Sequence, residues 1–353
     1  MNKVLIKGNE AIAEAAVQAG CEFYFGYPIT PSSEVMEYLS KRMPEIGSTF
    51  VQAESEVASI NMVFGAAGAG KRVMTASSSP GISLMAEGIS YLAAMELPAV
   101  IVNVMRMGPG LGNIGPTQAD YFQATKGGGH GDYRLIVLAP NSIQEIIDLM
   151  QDAFDLADKY LTPVMVMIEG LMGQMMEPVV FEKKERPKLP EKTWATTGAK
   201  GRPRNVLTTY VALEDGEATA NHLNEKFARI PNELQLWEEF MMEDAEFAVV
   251  AFGTVSRIAK NAIQKARAEG YKVGLIRPIT LWPFPVKAFD KYRGKVKGYL
   301  SAELSAGQMV EDVKLAIECS APVHFFGRVG GTTPMPGEIL DQIKKHYPIG
   351  EGK

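Results

Sequence analysis

The stretch Cys21-Glu-Phe-Tyr-Phe-Gly-Tyr-Pro-Ile-Thr-Pro-Ser-Ser33 decides how the N-terminal half is read. Its first five residues are an apolar run that predicts a buried strand, and its end predicts a helix start. Thr30 is the expected cap, because its hydroxyl can accept from free N–H groups. Pro31 suits the first helical position, where a missing donor costs nothing. Upstream, Asn9 is the expected cap of a helix through Ala19, closed by Gly20.

Working outward, strand and helix signals keep alternating. Residues 50–51 close a short strand before a small-residue helix at 54–68. Further strands are expected at 73–76, 100–104, 135–138 and 164–168, with helices at 82–95, 117–125 and 142–156. Short β-rich runs joined by helices predict an α/β fold with a mostly parallel sheet covered on both faces. The first domain is expected at 1–175. A composition break follows: EKKERPKLPEK at 182–192 and GAKGRPRN at 198–205 are charged and rich in proline and glycine. Such stretches read as solvated chain, so 176–240 is expected to be linker. A smaller α/β domain is expected at 241–345, with strands at 247–252, 273–276, 297–302 and 323–326.

Composition narrows the function classes. The 353 residues are 46% hydrophobic and 22% charged, which excludes a disordered chain. A net charge of -5 leaves no basic surplus for nucleic acid or an anionic membrane. Cys21 and Cys319 are too few for a disulfide scaffold, a Cys-x-x-Cys zinc site or an iron–sulfur cluster. The apolar runs fall far short of the roughly 20 residues that span a bilayer. The start carries no signal-peptide pattern. A soluble, cytoplasmic protein is expected.

Two glycine motifs are misleading. Residues 65–71 have P-loop spacing, but Arg72 stands where a hydroxyl must meet Mg²⁺, and a helix leads into the glycines instead of leaving them. Gly110-Leu-Gly112-Asn-Ile-Gly115 matches a dinucleotide fingerprint and is the feature on which an NAD-linked dehydrogenase would rest. Pro109 and Pro116 bracket it, however, so a closely packed site loop fits better. More informative are the carboxyl ends of the expected strands, where parallel sheets bind ligands. Four successive strands deliver Thr30, Gln52-Ala-Glu-Ser-Glu56, Ser77-Ser-Ser79 and Arg106 toward one edge. Each has a plain structural role on its own, as cap, first-turn carboxylate or surface cation. Together they make a site.

The order Tyr-Pro-Ile-Thr-Pro-Ser-Ser (27–33), Glu-Ser-Glu (54–56), Thr-Ala-Ser-Ser-Ser-Pro-Gly (75–81) and Arg-Met-Gly-Pro-Gly-Leu-Gly (106–112) resembles the 2-oxoacid:ferredoxin oxidoreductases. The likeness is to the subunit with the pyrimidine-binding domain of the thiamine diphosphate site. It continues through Ala-Phe-Gly-Thr (251–254), Gly-Leu-Ile-Arg-Pro-Ile-Thr-Leu-Trp-Pro-Phe-Pro (274–285) and Glu-Leu-Ser-Ala-Gly-Gln-Met (303–309). These resemble the family's transketolase-C-terminal-like domain.

The resemblance implies roles residue by residue. Glu56 matches the carboxylate that hydrogen-bonds the cofactor's aminopyrimidine N1′, favouring the imino form whose nitrogen removes the thiazolium proton. Arg106 matches the arginine that pairs with the 2-oxoacid carboxylate, a bidentate task suited to guanidinium. Thr30 matches the substrate-contacting threonine, and Pro28, Ile29 and Ser79 fall among the cofactor contacts. The chain departs from the complete pattern, because it has no Gly-Asp-Gly to hold diphosphate and Mg²⁺. The resemblance therefore implies partners: a subunit supplying the diphosphate/Mg²⁺ half, an iron–sulfur subunit, and ferredoxin. Coenzyme A would take the acyl group. Gly108-Pro-Gly-Leu-Gly112 looks like the branched-chain type, with Leu111 suiting an apolar tail, which implies 3-methyl-2-oxobutanoate as substrate. Members specific for 2-oxoglutarate or pyruvate, and an inactive scaffold homologue, are the alternatives.

Overall fold

The computed structural model describes residues 3–348 apart from 183, 186, 187, 190, 209 and 210. The first half runs β1 (Val4–Lys7), α1 (Gly8–Gln18), β2 (Phe23–Gly26), α2 (Ser33–Glu45), β3 (Thr49–Gln52), α3 (Glu56–Gly68) and β4 (Val73–Ser77). It continues with α4 (Ser79–Ala94), β5 (Val100–Met105), α5 (Tyr121–Thr125), β6 (Ile136–Leu138), α6 (Ile143–Tyr160), β7 (Val164–Glu169), α7 (Gly170–Gln174) and β8 (Met176–Val179). Then follow α8 (Leu213–Glu233), β9 (Trp237–Phe240), β10 (Phe247–Val250), α9 (Gly253–Ala268), β11 (Val273–Pro278) and β12 (Thr280–Trp282). Last come α10 (Lys287–Asp290), β13 (Gly298–Glu303), α11 (Met309–Ala316), β14 (Val323–Gly327) and α12 (Pro336–His346).

Three sheets result. Seven strands pair in the order β12-β6-β7-β5-β4-β2-β3, all parallel except β12. Five pair as β14-β13-β10-β11-β9, parallel except β9, and β1 pairs antiparallel with β8. The central strands β5 (VIVNVM) and β7 (VMVMIE) are buried throughout because helices cover both faces, so their sequences do not alternate. Helix α6 begins where the Ser142 hydroxyl accepts from the Glu145 N–H at 3.1 Å, and it turns Ile143, Ile146, Ile147, Met150 and Phe154 into the core.

The α/β architecture is as expected, and three local expectations are corrected. Thr30 does not cap a helix. The turn is closed by the Ser32 N–H donating to the Ile29 carbonyl at 2.9 Å, the Thr30–Pro31 peptide is cis, and α2 starts one residue beyond Ser32. Asn9 is not a cap either. It lies buried in the first turn of α1 and donates to the Pro31 carbonyl at 2.7 Å and to Glu34 at 2.8 Å, bracing that same turn. The stretch 176–240 is more than linker, since it holds β8, the 21-residue α8 and β9. Helix α8 escapes a hydropathy reading because it is charged along most of its length and buries only Lys226, Phe227 and Ile230. Part of the expected 182–192 linker lies outside the described residues.

The two large sheets are stapled together. Strand β12 leaves the second half to extend the first sheet. Arg277 of β11 forks onto Glu145 of α6 at 2.7 and 2.9 Å and also donates to Glu238 of β9 at 2.7 Å. Glu169, at the end of β7, accepts from Gln118 at 2.6 Å and from the Thr254 hydroxyl and N–H at 2.9 and 3.1 Å. The carboxyl edge of the first sheet thus faces the second unit.

Candidate active site

Strand β3 ends at Gln52, and Ser55 starts α3 by accepting from the Ala58 N–H at 3.1 Å. This cap sets Glu56 as the first helical residue, only 6% exposed. Its carboxylate makes no hydrogen bond or ion pair with any described residue. It lies instead against the first turn of α4, where a Cβ on Gly81 would meet Glu56 Oε1 at 2.9 Å and Ser77 Oγ at 2.0 Å. Glycine is required there by close approach. The hydroxyls of Thr75, Ser77 and Ser78 are also buried without a partner. Buried hydroxyls without partners cost free energy unless something else bonds them.

The same turn of α4 holds Arg106 on its other side. Ser79 Oγ accepts from the Arg106 N–H at 3.0 Å and donates to the Arg106 carbonyl at 3.1 Å. The half-buried guanidinium donates to the Thr30 carbonyl at 3.0 Å and the Leu111 carbonyl at 3.1 Å. Its Nε is buried and unpartnered, and it has no counter-charge among the described residues. The fold thus brings Thr30, Ser79 and Arg106 together, with Glu56 across one helical turn. Pro28 is exposed and Ile29 half-buried in the β2–α2 loop that carries Thr30, whose hydroxyl is free of described partners. Leu111 enters through its main chain only: its side chain is 82% exposed.

Arg106 opens into a cleft of about 580 Å³ between the two halves. Pro80, Met107, Leu304 and Val329 supply apolar wall, and Arg106 is the one basic side chain among the described residues lining it. Asp120 also lines the cleft and was not foreseen from the sequence. It accepts from Asn103 Nδ2 at 2.8 Å. Burial raises its carboxyl above the ordinary range, while hydrogen bonds from Ser79 and Asn103 pull the other way. Nothing in Thr117-Gln-Ala-Asp120 separates this aspartate from a surface residue until β5 and α4 close on it. The glycine-rich 107–115 segment closes on itself, with the Met107 N–H donating to the Gly115 carbonyl and the Asn113 N–H to the Met107 carbonyl, both at 3.0 Å. It opens no helix. Lys71, at the end of the other glycine run, pairs with Glu22 at 2.9 Å.

Arg106, a guanidinium without an acidic partner among the described residues, thus faces a cleft at the carboxyl edge of a parallel sheet, where such sheets bind ligands. Residues 14–238 match the family described as pyruvate flavodoxin/ferredoxin oxidoreductase, thiamine diphosphate-binding, and residues 245–339 match pyruvate:ferredoxin oxidoreductase core domain II. The chain belongs to the 2-oxoacid:ferredoxin oxidoreductase family. It is 51% identical over 342 residues to the ketoisovalerate oxidoreductase subunit VorB of Methanothermobacter marburgensis, covering 97% of both chains. It is 37% identical over 338 residues to the 2-oxoglutarate synthase subunit KorA of Archaeoglobus fulgidus, covering 93% of this chain and 95% of that one. Among solved structures it superposes with a TM-score of 0.87, at 28% identity, on 2-oxoglutarate:ferredoxin oxidoreductase from Magnetococcus marinus with 2-oxoglutarate, coenzyme A and succinyl-CoA bound. That match covers 98% of this chain and 66% of the other. No helix among the described residues is long and apolar enough to cross a membrane.

Proposed function

We propose that this chain is the substrate-anchoring subunit of a branched-chain 2-oxoacid:ferredoxin oxidoreductase. The reaction is the oxidative decarboxylation of 3-methyl-2-oxobutanoate with coenzyme A to acyl-CoA, CO₂ and reduced ferredoxin. The observation that carries the reading is the pair of unsatisfied charges flanking the first turn of α4: Glu56 bare on one side, Arg106 without counter-ion on the other.

The residues fit thiamine diphosphate, whose binding domain the family match implies. Glu56, the orphaned Ser77 and Ser78 hydroxyls and the missing Cβ of Gly81 suit a flat heterocycle bearing donors and acceptors. When bound, the cofactor supplies a carbon nucleophile and an electron sink for decarboxylation. Glu56 would hold the cofactor's pyrimidine ring by a hydrogen bond at its carboxylate. Arg106 binds the substrate carboxylate, and the Thr30 and Leu111 carbonyls fix the plane of its fork. The Thr30 hydroxyl orients the same carboxylate, and Pro28, Ile29 and Ser79 wall the site. Diphosphate and Mg²⁺ are assigned to a partner subunit, because this chain has no Gly-Asp-Gly. Iron–sulfur clusters are assigned to a partner because two distant cysteines cannot hold one.

Two facts favour a branched monocarboxylate. The relatives named for ketoisovalerate share 50–51% identity, those named for 2-oxoglutarate 33–37%. The cleft offers apolar wall and, among the described residues, no second cation, so the distal carboxylate of 2-oxoglutarate would find no charged partner there. The test is anaerobic copurification from the native host, with thiamine diphosphate and iron measured and 2-oxoacids screened for coenzyme A-dependent reduction of ferredoxin. A partner carrying Gly-Asp-Gly and fastest turnover of 3-methyl-2-oxobutanoate are expected. A cofactor-free chain without such a partner would sink the reading, and faster turnover of 2-oxoglutarate would sink the substrate.

A further inference from the structure

We infer that the second unit acts as a positioning device for Arg106, through a latch between residues 113–115 and the glycine turn at 330–331. The inference rests on Arg106 being the substrate anchor.

Arg106 has no charged partner to aim it. Its fork is directed by two carbonyls, and one of them, Leu111, belongs to the 107–115 loop. That loop is mostly solvent-exposed, with Leu111 and Ile114 both turned outward, so its own packing does little to hold it. Beyond the two backbone hydrogen bonds by which it closes on itself, it is held from far along the chain. Asn113 Nδ2 donates to the Gly330 carbonyl at 3.3 Å, while Asn113 Oδ1 accepts from the Gly115 N–H at 2.7 Å. The same side chain therefore ties the loop to itself and to the second unit. The backbones touch as well. A Cβ on Gly115 would lie 2.6 Å from Gly331 Cα and 2.7 Å from its carbonyl oxygen, and a Cβ on Gly331 would lie 2.7 Å from Asn113 Oδ1. Gly331 sits at φ +82°, where side chains are strained. Just beyond the loop, the Thr117 hydroxyl and the Gln118 N–H both donate to the Leu304 carbonyl, at 3.1 and 2.8 Å.

A chain of contact thus runs from the turn at 330–331 through Asn113 and the loop to the Leu111 carbonyl, and from there to the guanidinium. Two glycines in backbone contact allow little play. If the second unit moves, the loop and the Leu111 carbonyl move with it, and Arg106 loses half of its cradle. The second unit then has a task in substrate binding that its fold alone does not disclose.

Gly115→Ala and Asn113→Ala test this in the copurified holoenzyme. Gly115 has no positive φ, so its alanine variant opens the latch without local backbone strain, and Asn113 is exposed enough to lose its amide without a cavity. Each should raise KM for the 2-oxoacid about five-fold or more, the worth of one lost hydrogen bond, with kcat and the KM for coenzyme A within about two-fold. In an Arg106→Lys background, where the fork is already gone, adding either change should raise KM by less than about two-fold. Where turnover is lost, the Kd of the 2-oxoacid by titration calorimetry replaces KM. Additive effects, or an unchanged KM in both variants, would overturn the latch. An unchanged KM in Arg106→Lys alone would instead remove the anchor, and with it the proposed function.

Discussion

Gly81→Ala separates the structural account of Glu56 from a merely local one, because two opposed effects act on it. Gly81 is the third residue of α4, and alanine is favoured over glycine in a helix by at most about 1 kcal/mol, the interior value, so propensity alone predicts a protein no less stable. The added methyl, however, would sit 2.0 Å from Ser77 Oγ and 2.9 Å from Glu56 Oε1. Ser77 has no hydrogen bond to lose and can rotate away. Glu56 cannot do so freely, being buried at the start of α3. Ordinary contact begins at 3.4 Å, so the carboxylate must retreat by about half an ångström. Misplacement of a catalytic group on the ångström scale costs on the order of 10²-fold in rate, so a loss of roughly ten- to a hundred-fold in kcat is expected. Thiamine diphosphate content should fall as well, while the melting temperature holds or rises. The assay is coenzyme A-dependent ferredoxin reduction on the copurified complex, beside cofactor analysis and thermal melting. Full activity in a well-folded Gly81→Ala enzyme would refute the placement of the Glu56 carboxylate as the cofactor contact.

Glu56→Gln should lower turnover by at least about 10²-fold even at saturating cofactor, yet leave the melting temperature equal or higher, since the carboxylate has no protein partner to lose. Near-normal turnover would remove Glu56 from the chemistry. Glu169→Gln tests the buried carboxyl at the seam. Burial raises the pKa of Glu169 above 4.5, so its contribution to stability is complete below the unfolded pKa and is lost as pH rises through the folded value. Glutamine cannot suffer that loss, so melting curves should show the variant gaining on wild type as pH rises above the ordinary carboxylate range. A pH-independent difference contradicts it. Arg277→Ala leaves Glu145 and Glu238 without the buried guanidinium that joins them, and should cost about 3–5 kcal/mol in chemical denaturation. A loss under about 1 kcal/mol would mean that the staple between the sheets is dispensable.

What the sequence discloses follows from the range of each interaction. Strands buried on both faces, such as β5 and β7, announce themselves as unbroken apolar runs, so the alternation of the first half is legible directly. Helix α8 is not, because a helix that buries three residues in 21 offers few apolar positions to read. The turn at Thr30 misleads for a different reason. A threonine before a proline satisfies every local rule for a helix start, and only the Ile29–Ser32 hydrogen bond and the bracing by Asn9, 22 residues upstream of Pro31, show that the helix begins later. The seam is invisible to any local rule. Thr117 meets Leu304 across 187 residues and Asn113 meets Gly330 across 217, and neither pair has a spacing that marks it. The strand ends gather Glu56, Thr30 and Arg106 at one edge, but the role of each comes from likeness to a family. Read without it, each is an ordinary cap, helix-turn acid or surface cation.

Three buried glutamates show why Glu56 stands apart once the fold is known. Glu303 accepts from the hydroxyls of Ser301 and Ser305 and from the N–H groups of Gln308, Met309 and Val310, all between 2.8 and 3.0 Å, and so closes the N-terminus of α11. The Glu-Leu-Ser-Ala-Gly-Gln-Met motif that marks the second unit is thus a satisfied cap. Glu169 accepts from Gln118 and twice from Thr254. This chain therefore surrounds a buried carboxylate with donors where the carboxylate serves the fold. Around Glu56 it places a glycine and hydroxyls that bond to nothing. Across the same helical turn it leaves a guanidinium with carbonyls to steer it and no acid to neutralise it. A carboxylate and a guanidinium left without ionic partners on either side of one turn, at the carboxyl edge of a parallel sheet, are the contacts that the proposed ligands would complete.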